Sequence, residues 1–360
     1  MIGISSKISI RAAVPSDVPR IAEMMRSVSA REHSVDAVRA MTVDFAPGEF
    51  YAWLAEAGDE PVGLTMLEPC TLEHRGAQTK AGYWRYLWVS SDQRKTGLYP
   101  RLVFTMIGAA AKAGIGLVYG AIRRPEVAAG HLALGMQKVG DMPVFAKPVN
   151  PATLFSKFHG LGNFATGLSA FPDFVYRQYL SARHLAAGAA YTITDVSADQ
   201  ADLQAVIPAL REMHASDLQR PLTSQYFLKR YRMNSDGNEY RVLGVHGASE
   251  QAAAIVYRTA VRGNNIQALV ILEMGYRSAD RDALRFGLVE LEKRAIALRC
   301  EVILVLGSSR GIQQLLSESG HFKSTETYVL MKKPTRPEMD GVVTGNLDDW
   351  YFTFSDHDAF

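Results

Sequence analysis

Cysteine is scarce in this 360-residue sequence. The two cysteines, Cys70 and Cys300, lie in opposite halves of the chain. Disulfide frameworks and cysteine-based metal sites need several cysteines at characteristic spacings, so the count argues against both. We expect both thiols to be buried apolar side chains.

Long hydrophobic runs are also missing. No uninterrupted apolar segment reaches the roughly 20 residues that a membrane-spanning helix needs. Pro172, Asp173 and Arg177 interrupt the most apolar candidate. The first eleven residues contain no apolar run typical of a signal peptide. These absences predict a cytoplasmic protein with no membrane partner.

Charge of one sign is not concentrated anywhere. The formal net charge is +2, and Lys and Arg are scattered along the chain. A nucleic-acid-binding protein usually shows a basic arm or stripe, so we expect no nucleic-acid partner. The hydrophobic content of 48% and the charged content of 21% are typical of a globular protein. The length suits two domains better than one core.

A pattern of about 150 residues occurs twice, which is too long for a solenoid repeat. Its endings are most alike: Gly135 to Pro148 and Gly320 to Pro334 have similar lengths and both finish in Lys-Pro. The repeat predicts a domain at 1–150, a connector at 151–189, a second domain at 190–334 and a C-terminal tail at 335–360.

Local patterns predict the elements inside these domains. In the first domain, Phe50 to Glu56 and Pro61 to Leu67 alternate as a hairpin. The polar segment from Glu68 to Lys80 suggests an exposed loop. The connector contains one short helical pattern near Val175 to His184, and Ser224 to Met233 favours a helix in the second domain.

The segment from Tyr83 to Val103 has the clearest functional pattern. An aromatic, β-prone strand is followed by a polar turn containing Gly97, and a helix then begins with Pro100 in its first turn. A helix that begins after such a turn directs unpaired N–H groups and the positive end of its dipole at one point. The segment therefore predicts a phosphate-binding site.

Val89-x-x-x-x-Arg94-x-x-Gly97-x-Tyr99 in this context resembles the acyl-CoA pyrophosphate loop of the GNAT superfamily of N-acyltransferases. Tyr99 stands where a small residue is usual, and we interpret it as a subfamily feature. The resemblance implies an α/β (α+β) protein of the bacterial tandem type, with two GNAT-like domains. Each would be a mixed, mostly antiparallel twisted sheet flanked by helices.

The resemblance also implies acetyl-CoA or another acyl-CoA as co-substrate, with no metal. The second repeat has no glycine at the matching helix start, and its Asp280 and Asp282 would repel a phosphate. We therefore expect a degenerate second domain that does not hold CoA. The residues expected to bind the cofactor in the first domain are Leu87, Trp88, Val89, Arg94, Lys95, Thr96, Gly97, Leu98 and Tyr99.

The catalytic residues are less clearly marked. Many GNAT enzymes carry a tyrosine acid four residues before a glycine, and His131 occupies that position before Gly135. His131 suits an acid, or a base acting through water, and packing at the sheet is the alternative. Arg85 stands where relatives carry a glutamate base, and arginine does not accept a proton at neutral pH. Glu68 and Glu73 are reserve candidates for the base, and the alternative is that both are solvated glutamates in a loop.

Two regions are candidates for contact with an acceptor. Arg85 suits a carboxylate or phosphate on the acceptor, or a salt bridge within the protein. Tyr83 shares its face of the sheet. The tail carries Trp350 in an aromatic cluster that we expect to dock on a domain, and its ending resembles that of tandem GNAT-like proteins. We count Trp350 with the acceptor-binding residues and interpret the nearby Asp-His-Asp as solvated acids.

These observations predict transfer of an acyl group from acyl-CoA to an amine of a small molecule or sugar, by direct attack. A non-catalytic module of two worn GNAT folds is one alternative, and an aminoacyl-tRNA-dependent transferase is another. A homodimer is compatible with the sequence.

Overall fold

The computed structural model describes most of the chain and separates it into two compact units. The first unit contains the described residues up to Gly140 together with Val329–Gly345, and the second contains most of the remainder. The described residues are 8–28, 35–42, 51–161, 168–186, 191–196, 200–223, 227, 231, 240–247, 251–277, 280–337 and 345–357.

The first unit is built on a mixed sheet, and among its described strands only β4 and β5 run parallel. Its strands lie in the order β1, β2, β3, β4, β5 and the end of β12. They are β1 (Ile8–Ala12), β2 (Ala52–Ala57), β3 (Glu60–His74), β4 (Ala77–Val89), β5 (Leu117–Ile122) and β12 (Phe322–Pro334).

Helices cover both faces of this sheet. Alternate residues of β2 pack into different cores, since Leu54 contacts the α1 cluster and Ala55 the α3 cluster. The pattern therefore buries both faces of the strand. The helices are α1 (Val18–Val28), α2 (Val35–Thr42), α3 (Leu98–Lys112) and α4 (Pro125–Ala133).

The predicted loop from Glu68 to Lys80 is wrong. This segment is the outer part of the β3–β4 hairpin, which pairs from Gly63–Val89 out to His74–Ala77. Arg75 (φ 50°) and Gly76 (φ 81°) close it with two left-handed residues, as a tight hairpin turn requires. The polar composition suggested a loop because one side of each strand is exposed here.

The second unit has the same construction. Its strands lie in the order β6, β11, β10, β9, β8 and β7, and β10 and β11 are the parallel pair. The strands are β6 (Gln137–Pro148), β7 (Thr192–Val196), β8 (Arg241–His246), β9 (Gln251–Arg262), β10 (Ile266–Tyr276) and β11 (Val302–Leu306). Its helices are α5 (Pro151–Phe158), α6 (Ala170–Ala186), α7 (Gln200–Glu212), α8 (Arg281–Ala297), α9 (Arg310–Glu318) and α10 (Phe354–His357).

The two repeats exchange their last strands. The end of β12, from the second repeat, pairs with β5 in the first unit, where Pro334 is opposite Leu117. The end of β6, from the first repeat, pairs with β11 in the second unit, where Pro148 is opposite Val302. The compact units therefore differ from the segments 1–150 and 190–334. Each strand that ends in Lys-Pro belongs to the unit in which it pairs, and not to the repeat from which it comes.

The connector is more helical than its short predicted piece, since it forms α5 and α6. The predicted helix from Ser224 to Met233 falls almost entirely outside the described residues. Among the helices that the structure describes, none is long and apolar enough to cross a lipid bilayer.

Candidate functional site

The site begins where β4 and β5 separate. The two strands pair only from Ala81 to Tyr83 on β4, opposite Leu117 to Tyr119 on β5. At the next position, a Cβ on Gly120 would lie 3.2 Å from the carbonyl oxygen of Trp84, so glycine permits the close approach. Beyond this point the β5-facing edge of β4 has no strand partner among the described residues.

A cavity of about 340 Å³ occupies the gap between the separated strands. Leu87 and Trp88 line it from β4, and His131 lines it from α4. Arg123 and Arg124, which follow β5, also line the cavity. A cleft with apolar walls, an open strand edge and a few polar groups has the features of a binding site.

The turn before α3 has the backbone features of an anion site. Lys95 (φ 69°) and Gly97 (φ 82°) both have left-handed backbone conformations, and Gly97 is the N-cap residue of α3. The amides of Leu98 and Tyr99 lie in the first helical turn, where N–H groups have no intrahelical acceptor. A Cβ on Gly97 would meet no atom within 4 Å, so the approach to this backbone is open. Arg94, Lys95 and Thr96 are exposed around it.

His131 is held through one ring nitrogen. Its Nδ1 lies 2.8 Å from the Val127 carbonyl oxygen and 2.8 Å from the Tyr99 hydroxyl. Because a carbonyl only accepts, we assign the proton to Nδ1, which leaves the lone pair on Nε2. Burial lowers the pKa of His131 below its usual value near 6.5. The imidazole is therefore neutral at pH 7 and has the form of a base.

Tyr99 and His131, two of the residues that depart from the GNAT pattern, contact each other. A Cβ on Gly130 would lie 3.3 Å from the Tyr99 hydroxyl, which is a tight contact. The absence of a side chain at Gly130 therefore makes room for the Tyr99 ring. Burial raises the pKa of Tyr99 to about 12, which keeps its hydroxyl protonated at neutral pH. The Trp84 ring lies 4.3 Å from the imidazole, centroid to centroid. Together these contacts fix the orientation of His131.

Glu68, Tyr83 and Arg85 form a second group in the same sheet. Arg85 Nε donates to Glu68 Oε2 at 2.7 Å, and both side chains are buried. Tyr83 is opposite Glu68 in the strand register. The neighbouring Leu67 and Trp84 pack against α3, so Glu68 and Tyr83 face the other side of the sheet. None of these three residues lines the cavity that contains His131.

Trp350 belongs to the core of the second unit. Its side chain is 1% exposed, and its backbone forms an isolated parallel bridge with Leu218. The neighbouring Tyr351 and Phe352 are also buried. Trp350 therefore packs inside the second unit, and its contact with an acceptor stays a prediction.

In the second unit, the positions that correspond to the cofactor site are filled by the protein itself. Asp280 caps α8 by accepting from the Ala283 amide at 3.1 Å, so a carboxylate already occupies the helix N-terminus. The tail lies beside β10, where the Tyr351 hydroxyl is 3.3 Å from both the amide nitrogen and the carbonyl oxygen of Met274. Thr353 lines the small remaining pocket there.

Sequence reasoning missed Gly120, Arg123 and Arg124. A glycine inside the otherwise apolar strand Leu117–Ile122 is a signal of close backbone approach. Two arginines at the end of a buried strand are a weaker signal of a ligand.

No family model and no curated protein matches the sequence. Solved structures do match along most of the chain. A GCN5-related N-acetyltransferase from Anabaena variabilis is 9% identical, with a TM-score of 0.58, over 92% of this chain and 73% of that one. A Saccharomyces cerevisiae N-myristoyltransferase with bound myristoyl-CoA is 12% identical, with a TM-score of 0.63, over 92% and 80%.

A GCN5-related N-acetyltransferase from Kribbella flavida is 13% identical, with a TM-score of 0.57, over 93% of this chain and 72% of that chain. At these identities the likeness concerns architecture alone. It agrees with the two mixed sheets, the parallel β4–β5 pair and the glycine turn before α3. The predicted fold class is confirmed: the chain has a GNAT-type fold.

Proposed function

We propose that the first unit transfers an acyl group from acyl-CoA to an amine of a small molecule or sugar. The observation that carries this proposal is the gap between β4 and β5. It combines an open strand edge and a buried neutral histidine on one cavity, and the hydrogen bond between His131 and Tyr99 joins that cavity to the first turn of α3. A thioester with a pantetheine arm and a pyrophosphate offers groups that complement each of these features.

The chain would hold the donor mainly through its backbone. The amides that surround Gly97 would face the pyrophosphate, with Arg94 and Lys95 adding positive charge. The open edge from Leu87 to Val89 would hydrogen-bond the amide groups of the pantetheine arm as a neighbouring strand does. The second unit, with Asp280 at its helix N-terminus, would hold no donor.

His131 would accept the proton that the amine loses. The amine nitrogen forms a bond to the thioester carbonyl carbon as the carbon–sulfur bond breaks, and CoA leaves as a thiolate. Nε2 of His131 has the lone pair needed to take the amine proton and can then return it to the thiolate sulfur. The strand edge of β4 supplies N–H groups able to stabilise the negative charge that develops on the carbonyl oxygen.

The Glu68–Arg85 pair, which lies outside the cavity that His131 lines, would provide an alternative position for the acceptor. Both side chains are buried on the side of the sheet opposite α3, next to Tyr83. Arginine binds carboxylates and phosphates through paired N–H groups, which suits an acceptor with a negative charge. Glu68 is the second candidate for the proton acceptor, after His131.

A thiol-release assay tests the proposal. Acyl-CoA donors from acetyl to myristoyl would be combined with a panel of amines and amino sugars. We expect turnover with at least one pair and a loss of about 100-fold or more in kcat for His131→Gln. Binding of acyl-CoA with no turnover on any amine would instead favour a non-catalytic module.

A further inference from the structure

The connector helices expose a set of large apolar side chains. Six residues of α5 and α6 are each more than half exposed, at 51 to 74%. We call this set the connector face. It consists of Phe155, Phe158, Phe171, Phe174, Val175 and Tyr179.

The outward direction of the α6 members of this set follows from what α6 buries. Asp173 is 1% exposed, and its carboxylate accepts from the amides of Ala152 at 2.8 Å and Thr153 at 2.9 Å, which caps the first turn of α5. Tyr176 and Leu180 lie on the same side of α6 and pack into the core of the second unit. With 3.6 residues per turn, Phe171, Val175 and Tyr179 must then face outward.

This arrangement departs from the usual pattern of a surface helix, because α6 has apolar residues on both sides. Such helices place apolar residues toward the core and charged residues toward water. Here the acid Asp173 is inside and connects two helices, while four apolar side chains of α6 are outside. Single exposed apolar residues are ordinary, but a clustered set marks an interaction surface.

The size of the connector face suits a protein interface. A fully buried aromatic side chain removes about 150–250 Å² from water. The six side chains are 51 to 74% exposed, so their exposed area together is on the order of 700 Å². A standard stable interface buries about 800 Å² on each partner. The face therefore supplies most of the area that one partner contributes.

The charges around the face favour a protein partner over a lipid surface. Helices that lie on membranes display Lys and Arg for anionic headgroups. Among the described side chains of α5 and α6, Lys157 is engaged with Glu301 at 2.9 Å, and Arg177 donates to the Asp173 carbonyl at 3.3 Å. Both cations therefore make hydrogen bonds within the second unit.

We propose that the connector face binds the same face of a second copy of this chain in a two-fold dimer. An isologous contact brings each aromatic stripe against its own copy, where edge-to-face and offset ring packing is available without any charge to match. The inference does not depend on the enzymatic activity, since it uses only the second unit.

Sedimentation equilibrium of the full chain tests the dimer. We expect the natural protein to be dimeric at about 10 μM. The double variant Phe171→Glu/Phe174→Glu should be monomeric, with at least a hundredfold weaker self-association. Phe104→Glu is the matched control, because Phe104 is 54% exposed on α3, and it should remain dimeric.

A monomeric natural protein at about 100 μM would overturn the proposal, and so would a double variant that dimerises as well as the natural protein. Unchanged circular dichroism is required of both variants, and a milder Phe171→Ser variant replaces the double variant if that fails to fold. Binding of the natural monomer to phosphatidylserine vesicles would also overturn it and would assign the face to a membrane.

Discussion

Tyr99 and His131 show how two unusual residues can complete one site. Tyr99 lies in the first turn of α3 and His131 near the end of α4, and one hydrogen bond joins them. The sequence indicated His131 through its spacing before Gly135. It could not indicate the contact with Tyr99, because 32 residues separate the two and only the packing of α4 brings them together.

Removal of the Tyr99 hydroxyl should change the pH profile as well as the rate. In the proposed mechanism neutral His131 is the active form, so its lowered pKa should place the acid limb of kcat below pH 6.5. The hydroxyl oxygen stabilises the imidazolium more than the neutral ring, so Tyr99→Phe should move this limb to still lower pH. Tyr86→Phe, in the same cavity but without the contact to His131, should leave it in place.

The position of the limb would be read from kcat between about pH 4.5 and pH 8, across the usual range of histidine pKa values. A limb that stays fixed in Tyr99→Phe, or that is still present in His131→Gln, would contradict the assignment of His131 as the proton acceptor.

The pairing of Glu68 with Arg85 was not predicted, and the reason is physical. The segment after Glu68 contains enough polar residues to suggest a loop, but a β-hairpin that extends past its sheet exposes one face and carries such residues there. The structure therefore places Glu68 inside a strand, where an ion pair with Arg85 satisfies both buried charges.

Among the elements, β6 and β12 make contacts that the sequence did not predict. Both end in Lys-Pro, and each lysine reaches the end of a helix from the other repeat. Lys333 Nζ donates to the Leu134 carbonyl at 2.9 Å, just after α4, and Lys147 Nζ donates to the Ser319 carbonyl at 2.7 Å, just after α9. Cations stabilise helix C-termini, so the repeated Lys-Pro ending makes the same kind of contact in both units.

Lys147 also pairs with Glu292 in the core of the second unit, where both side chains are almost fully buried. Lys147→Met should therefore cost about 3–5 kcal/mol of unfolding free energy, because it leaves the Glu292 charge buried without this partner. Urea denaturation would measure the loss.

The double variant Lys147→Met/Glu292→Leu is the control, since it removes both charges and should recover most of the lost stability. A double variant that is no more stable than Lys147→Met would show that the unpaired Glu292 charge does not cause the loss of unfolding free energy.

The duplication was readable from the sequence, but the exchange of strands was not. Repeat endings with equal lengths reveal two copies of one unit. They do not reveal which sheet each ending joins, because β6 and β12 have the same pattern and either sheet would accept either strand. Long-range pairing alone decides between them.

At the scale of the whole molecule, neither half should fold alone. A chain truncated after residue 150 would lack Val329–Pro334, which covers the outer edge of β5, and its own β6 would lose β11. Such a chain would expose a long strand edge and an uncovered core. We expect it to show no cooperative thermal transition and no acyl-CoA binding, by differential scanning calorimetry and titration.

A cooperatively folded fragment 1–150 that binds acyl-CoA would contradict this account. It would mean that β6 can close its own sheet when β12 is absent.

The central claim is that the turn at Gly97 binds acyl-CoA, and calorimetric titration tests it most directly. We expect micromolar binding of acetyl-CoA or myristoyl-CoA to the natural chain. Gly97→Glu should abolish this binding, because a carboxylate would enter the anion site from a left-handed position that only glycine adopts easily. Gly76→Glu, at φ 81° in the β3–β4 hairpin, carries the same strain and charge and should bind normally. No binding of any CoA ester to the natural chain, or equal binding by the Gly97→Glu variant, would contradict the claim.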